Sequence, residues 1–176
     1  MGADVNRKDD NIGVTPLYIA CQRGSLEMAQ FLLSKNAQVN LGTDEGDLPL
    51  SIACQAGYLH IVKLLKASGA DINLMTKDSV APLHFACIGG HIKIVKFLIA
   101  SGGKINLSGV NSLTPLYFAC QNGHTEIVKV LLDVGVDISR EIGGMFIPVC
   151  ERFYKDWQDD EGSTPLHLAA DEGHIE

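Results

Sequence analysis

Five stretches of this chain follow one template, and their spacing constrains the fold more than any single residue does. Thr114-Pro115-Leu116-Tyr117-Phe118-Ala119-Cys120-Gln121-Asn122-Gly123-His124 recurs from Thr15 to Gly24, Leu48 to Gly57, Ala81 to Gly90 and Thr164 to Gly173. Pro16, Pro49, Pro82 and Pro115 stand 33 residues apart, and the step to Pro165 is 50. A fixed period of this size builds stacked modules, each unable to bury its apolar side without a neighbour. The template divides a single domain, residues 1–176, into parts. Residues 1–6 match the tail of a module. Full modules cover about 7–40, 41–73, 74–106 and 107–139, an insertion about 140–158, and a partial module 159–176.

Within each module the pattern reads helix, turn, helix, extended loop. In the fourth, Thr114 suits an N-cap and Pro115 the first helical position, where a missing N–H costs nothing. Ala119 and Cys120 are small enough for helices to approach closely. Gly123 supplies a left-handed cap, and Ile127, Val128, Val130, Leu131 and Leu132 form the stripe of a second helix. Matching stripes are Met28/Ala29/Phe31/Leu32/Leu33, Ile61/Val62/Leu64/Leu65 and Ile94/Val95/Phe97/Leu98/Ile99.

These motifs resemble the ankyrin repeat: Thr-Pro-Leu, the small Ala-Cys pair, Gly-His, the apolar stripe and a Gly-Ala-Asp-Ile-Asn tail at 69–73. The resemblance covers everything but the insertion. It implies an all-α solenoid of stacked helix-turn-helix modules with hairpin loops projecting to one side. The departures are local. Leu48 and Ala81 replace the capping Thr, at an expected cost of about 1 kcal/mol each. Lys66 interrupts a stripe, Asn36 stands where Gly is usual, and Ser79 and Ser112 replace a loop glycine.

A net charge of −7 and a pI near 5.3 argue against a nucleic-acid backbone as the main partner. The polar N-terminus lacks a signal-peptide core, and the run Val95 to Ala100 is cut by Lys96, so neither export nor membrane insertion is expected. A cytoplasmic protein is the resulting expectation. Cys21, Cys54, Cys87 and Cys120 occupy one position in successive modules. Equivalent positions on packed helices lie about 8–10 Å apart, beyond the roughly 7 Å reach of a disulfide, so free thiols are expected.

The residues offer little for catalysis or metal binding. Residues one repeat apart are too distant for His91, His124 and His174 to share one zinc, so capping and loop hydrogen bonds are their expected role. The packed thiols lack a local His or Lys, and no phosphate-binding or zinc-protease motif occurs. Asp159-Asp160-Glu161 lacks the alternating spacing of a calcium loop. No enzyme activity, metal or cofactor is expected.

The resemblance implies a groove made by hairpin tips and first helices. Its candidate partner-binding residues are Asn11, Ile12, Val14, Gln22 and Arg23, then Asp44, Glu45, Asp47 and Gln55. They continue as Lys77, Asp78, Val80 and Ile88, then Val110, Asn111, Leu113, Gln121 and Asn122. The insertion adds Phe153, Tyr154 and Trp157, at helical spacing with the only Trp of the chain. The expected function is a non-catalytic scaffold that binds a protein or peptide. The alternative is a regulatory or targeting segment of a larger enzyme, channel or secreted effector. Both end modules have interior-type sequences, so flanking repeats are expected.

Overall fold

A computed structural model describes residues 4–109 and 113–137. The insertion and the partial last module lie outside the described residues. Within them, the chain forms four antiparallel helix pairs and no strand. The pairs are α1 (Pro16–Gln22) with α2 (Leu26–Ser34), α3 (Pro49–Ala56) with α4 (Leu59–Ala67), α5 (Pro82–Ile88) with α6 (Ile92–Ala100), and α7 (Pro115–Gln121) with α8 (Thr125–Asp133). This is the expected all-α solenoid.

The first helix of each pair packs on the next first helix, forming an inner row of α1, α3, α5 and α7. The residues that permit it are the small pairs Ala20/Cys21, Ala53/Cys54, Ala86/Cys87 and Ala119/Cys120, all buried. The second helices form an outer row whose side chains Ile61, Val62, Leu65, Ile94, Val95, Leu98, Ile127 and Leu131 continue the same core. Among the described residues, the four inner-row cysteines are free thiols. Burial pushes the Cys21 and Cys87 thiols up to about 12, and raises Cys54 as well. They remain protonated and serve as small hydrophobes.

Glycine and histidine lock neighbouring pairs together. Gly57 and Gly90 have φ of 84° and 73°, and a Cβ on either would fall within 2.5–2.6 Å of the next module's His91 or His124 ring. His91 Nε2 lies 2.9 Å from the Gln55 carbonyl oxygen, and His124 Nε2 lies 3.1 Å from that of Ile88. These histidines have the hydrogen-bonding role expected of them.

A second staple runs along the loops. Asn6, Asn40, Asn73 and Asn106 each accept with Oδ1 from a backbone N–H about one module downstream, at Gln38, Asp71, Lys104 and Asp137. Residue 6 is therefore held like its equivalents in the interior loops.

Helix starts divide by their capping residue. Thr15 and Thr114 accept from the N–H of Tyr18 and Tyr117, whereas Leu48 and Ala81 make no side-chain cap bond. At Ala81, the reciprocal half of a capping box survives: its N–H donates to His84 Nδ1 at 3.1 Å.

Candidate binding surface

Each described hairpin is closed by backbone bonding across its tip. The N–H of Asp9 donates to Val14 O, that of Thr43 to Asp47 O, that of Thr76 to Val80 O and that of Gly109 to Leu113 O. Thr43 and Thr76 also accept with Oγ1 from Asp47 and Val80 N–H, at 3.1 and 3.2 Å. The first tip is one residue longer. There the Asp9 carboxylate takes the hydroxyl's place, accepting from the N–H of Val14 at 2.8 Å and of Ile12 at 3.3 Å.

Asp44 ties three tips into one edge. Its N–H donates to Ile12 O at 3.1 Å, and its carboxylate pairs with Lys8 at 2.9 Å. Its carbonyl accepts from Lys77 Nζ. Glu45 and Asp47 differ from it: among the described residues neither carboxylate has an ion pair or hydrogen bond, and both act on Tyr18. Burial raises the Tyr18 pKa first, and the negative charges of Asp47 and Glu45 raise it further. Tyr18 was absent from the candidates drawn from the sequence. Its signal was its position three residues after a capping Thr, where the side chain turns toward the neighbouring hairpin.

The other candidates fall on two strips. On the tips, Asn11, Glu45, Lys77 and Asp78 are exposed, as is Ile12 at 47%, while Val14, Asp47, Val80 and Leu113 are half-buried. Leu113 is held by its carbonyl, which receives the Gly109 N–H and lies 3.3 Å from His84 Nε2. On the inner row, Gln22, Arg23, Gln55, Gln121 and Asn122 are exposed and Ile88 is half-buried. Gln22, Gln55, Ile88 and Gln121 occupy the same place at the C-terminal ends of α1, α3, α5 and α7. Asn122 spends its amide on the Phe118 carbonyl at 2.8 Å. Val110, Asn111, Phe153, Tyr154 and Trp157 lie outside the described residues.

The outer row differs at its first helix. Met28 and Phe31 read as core residues in the helix stripe, yet they are 50% and 57% exposed. Among the described residues, no helix pair covers this face of α2.

Chemically, the surface offers amide groups, carboxylates and a few apolar side chains on a fixed backbone. Among the described residues, no group of three or more His, Cys, Asp or Glu side chains is placed to hold a metal ion. Among those residues, too, no helix is long and apolar enough to cross a membrane.

Comparison with known proteins agrees with the geometry. Protein phosphatase 1 regulatory subunit 27 from Mus musculus is 43% identical over 47 residues, which is 27% of this chain and 30% of that protein. The Homo sapiens protein of the same name matches to the same extent. The match thus spans under a third of those relatives. The family model described as ankyrin repeats in three copies matches residues 1–76 and 68–142, and the single ankyrin repeat model matches 161–176. With helix pairs, hairpin tips and family models in agreement over most of its length, the chain belongs to the ankyrin repeat family.

Proposed function

We infer that this protein is a non-catalytic scaffold that holds an extended protein segment along the tips and inner row. Ankyrin repeats generally mediate protein–protein interaction. The observation that carries the finer reading is the row Gln22, Gln55, Ile88 and Gln121. Helix packing spaces such positions about 8–10 Å apart, close to three residues of extended chain at about 3.3 Å each. Three exposed amides around one apolar position can bond a peptide backbone and seat one side chain. The carboxylates of Glu45 and Asp47, which have no ion pair among the described residues, favour a partner with Lys or Arg opposite the second tip. The backbone beneath is fixed, since the Gln55 and Ile88 carbonyls already lie against His91 and His124. Pre-organisation of this kind lowers the ordering cost of binding.

Selection from a displayed library of unstructured peptides tests this. The intact chain should enrich sequences with a basic residue spaced from an apolar one. Joint substitution of Gln22, Glu45, Asp47 and Gln55 by Ala should abolish the enrichment without shifting the melting temperature. Enrichment unchanged by the four substitutions would move the site elsewhere. Retention by the intact chain but loss on deleting residues 141–157 would move it to Phe153, Tyr154 and Trp157.

A second reading rests on the 43% identity to a phosphatase regulatory subunit. In that reading the chain is a regulatory segment acting on an enzyme outside it. The matched 47 residues amount to less than two modules, so the shared repeat frame itself supplies many identities. Calorimetric titration of this chain with protein phosphatase 1 separates the readings: heat of binding supports regulation, and its absence leaves the peptide-binding scaffold.

A further inference from the structure

The ring position that links one module to the next is used differently at the first junction. Tyr18 stands two 33-residue steps before His84, and Leu41 and Asp47 stand the same two steps before Leu107 and Leu113. His84 Nε2 reaches the Leu107 and Leu113 carbonyls of the following hairpin at 3.1 and 3.3 Å. Tyr18 is only 7% exposed at the equivalent place, with its N–H donating to Thr15 Oγ1. Its hydroxyl lies farther along the side chain than an imidazole nitrogen, and among the described residues it makes no hydrogen bond. A buried ring thus ends in an unpartnered polar atom at the second tip. Two acids share that tip: Asp47 is half-buried and Glu45 exposed. After burial itself, the charges of Asp47 and Glu45 raise the Tyr18 pKa, so both carboxylates act directly on the phenol. The lysines that reach this tip are turned to another residue, Lys8 to the Asp44 carboxylate and Lys77 to the Asp44 carbonyl.

We propose that Tyr18, Glu45 and Asp47 form an arginine site, which takes a guanidinium from the bound segment in preference to a lysine ammonium. Three acceptors from two elements converge here: the phenol oxygen of α1 and the two carboxylates of the second tip. A guanidinium carries five N–H donors in a flat fork and can span separated acceptors, whereas an ammonium is a compact point charge. It is also the more weakly hydrated of the two cations, which suits a place beside the half-buried Asp47. The tip is fixed before binding, since the Asp47 N–H donates to Thr43 Oγ1 and its carbonyl accepts from the Thr43 N–H. Resting on the reading of tips and inner row as a surface for an extended segment, the site specifies one side chain of that segment. Gln22, exposed one helical turn beyond Tyr18, continues the row from it.

NMR titration of the intact chain with N-acetylarginine amide and N-acetyllysine amide, each to about 50 mM, is the test, because a single residue probes the site without the groove. The arginine probe should saturate with a Kd of about 1–10 mM and shift the Glu45 and Asp47 amide signals, and the lysine probe should bind about fivefold more weakly. Tyr18→Phe should leave the melting temperature unchanged, since the hydroxyl has no partner to lose, and weaken the arginine probe about three- to tenfold. Should that variant melt early, Glu45→Gln at its exposed position takes its place and should weaken the arginine probe likewise. Absence of a saturable shift overturns the proposal. So does equal affinity for the two probes, and so does an arginine affinity that neither variant changes. Displayed peptides enriched equally in arginine and lysine would keep the groove and reject the site. Arginine binding without any peptide enrichment would keep the site and reject the extended segment.

Discussion

The second and third helix pairs both lost the threonine that caps an inner helix, and they differ in what replaced it. At α5 the loss is Ala81, and His84 closes the gap. His84 is fully buried, its Nδ1 accepts the Ala81 N–H, and its Nε2 lies 3.1 Å from Leu107 O and 3.3 Å from Leu113 O. A nitrogen facing two carbonyls must carry the proton, so Nε2–H donates and Nδ1 accepts. One ring therefore bonds its own helix start and the next hairpin. At α3 the loss is Leu48, whose side chain is buried instead of bonded, and Ser51 stands at the position of His84. The Ser51 hydroxyl is buried without a hydrogen-bond partner among the described residues. One pair exchanged a local cap for a bond between modules; the other exchanged it for apolar burial.

The largest test of this difference removes the ring. His84→Ala should destabilise the chain by about 3 kcal/mol, through a cavity and three backbone groups deprived of a partner. Chemical denaturation measures it. A loss under about 1 kcal/mol would mean that the ring fills space and its bonds contribute little.

Acidification probes the same ring without a substitution. Burial lowers the His84 pKa from its ordinary 6.5, against a smaller opposing effect of its backbone bonds. Below 6.5 the denatured chain therefore binds a proton that the folded chain refuses. Stability should be complete above that value and fall as pH drops through it, by at most about 1.4 kcal/mol per pH unit, until the folded-state pKa is reached. Comparison with His84→Gln isolates the term: the slope between pH 6.5 and the acid limit should be shallower in the variant. Equal slopes would assign the acid sensitivity to other groups.

The comparison also shows which levels of structure the sequence exposes. Helix pairs, inner-row packing and left-handed glycines were legible because each depends on a residue type at a fixed step: Pro16, Pro49, Pro82 and Pro115 for helix starts, Ala-Cys for close approach. The cost assigned to Ala81 was read from one residue, and the compensation came from another module's hairpin, at Leu107 and Leu113. Likewise, Asp44 read as a surface acid free for a partner, while in the fold it joins Lys8, Ile12 and Lys77. Met28 fits its stripe as well as Ile61 does; what separates them is the helix that covers one and not the other. Repetition reveals what modules share. It is silent on which neighbour each residue meets, and binding is decided there.

Restoring the missing cap gives a smaller effect of opposite sign. Ala81→Thr should stabilise by about 1 kcal/mol, because its hydroxyl can accept from the His84 N–H while the existing bond from Ala81 N–H to the ring persists. That completes the reciprocal box of which α5 has one half. Thermal denaturation should show the gain with His84 in place and a reduced gain in His84→Ala, since both halves share one turn. Additive effects would separate cap from ring.

The smallest effect is expected at Ser51. Its hydroxyl gave up water on burial and gained no partner among the described residues, a desolvation penalty of about 1 kcal/mol or more. Ser51→Ala removes the hydroxyl while leaving a side chain of nearly the same size, so the chain should gain between about 0.5 and 1 kcal/mol. The same change at His84 would be among the most damaging in the molecule, although both positions lie in the first turn of an inner helix. A loss of stability on Ser51→Ala would show that the hydroxyl has a partner in solution, most simply a water bridging it to the neighbouring hairpin. The second pair would then also be linked through this position to the module that follows it, with solvent in place of a ring.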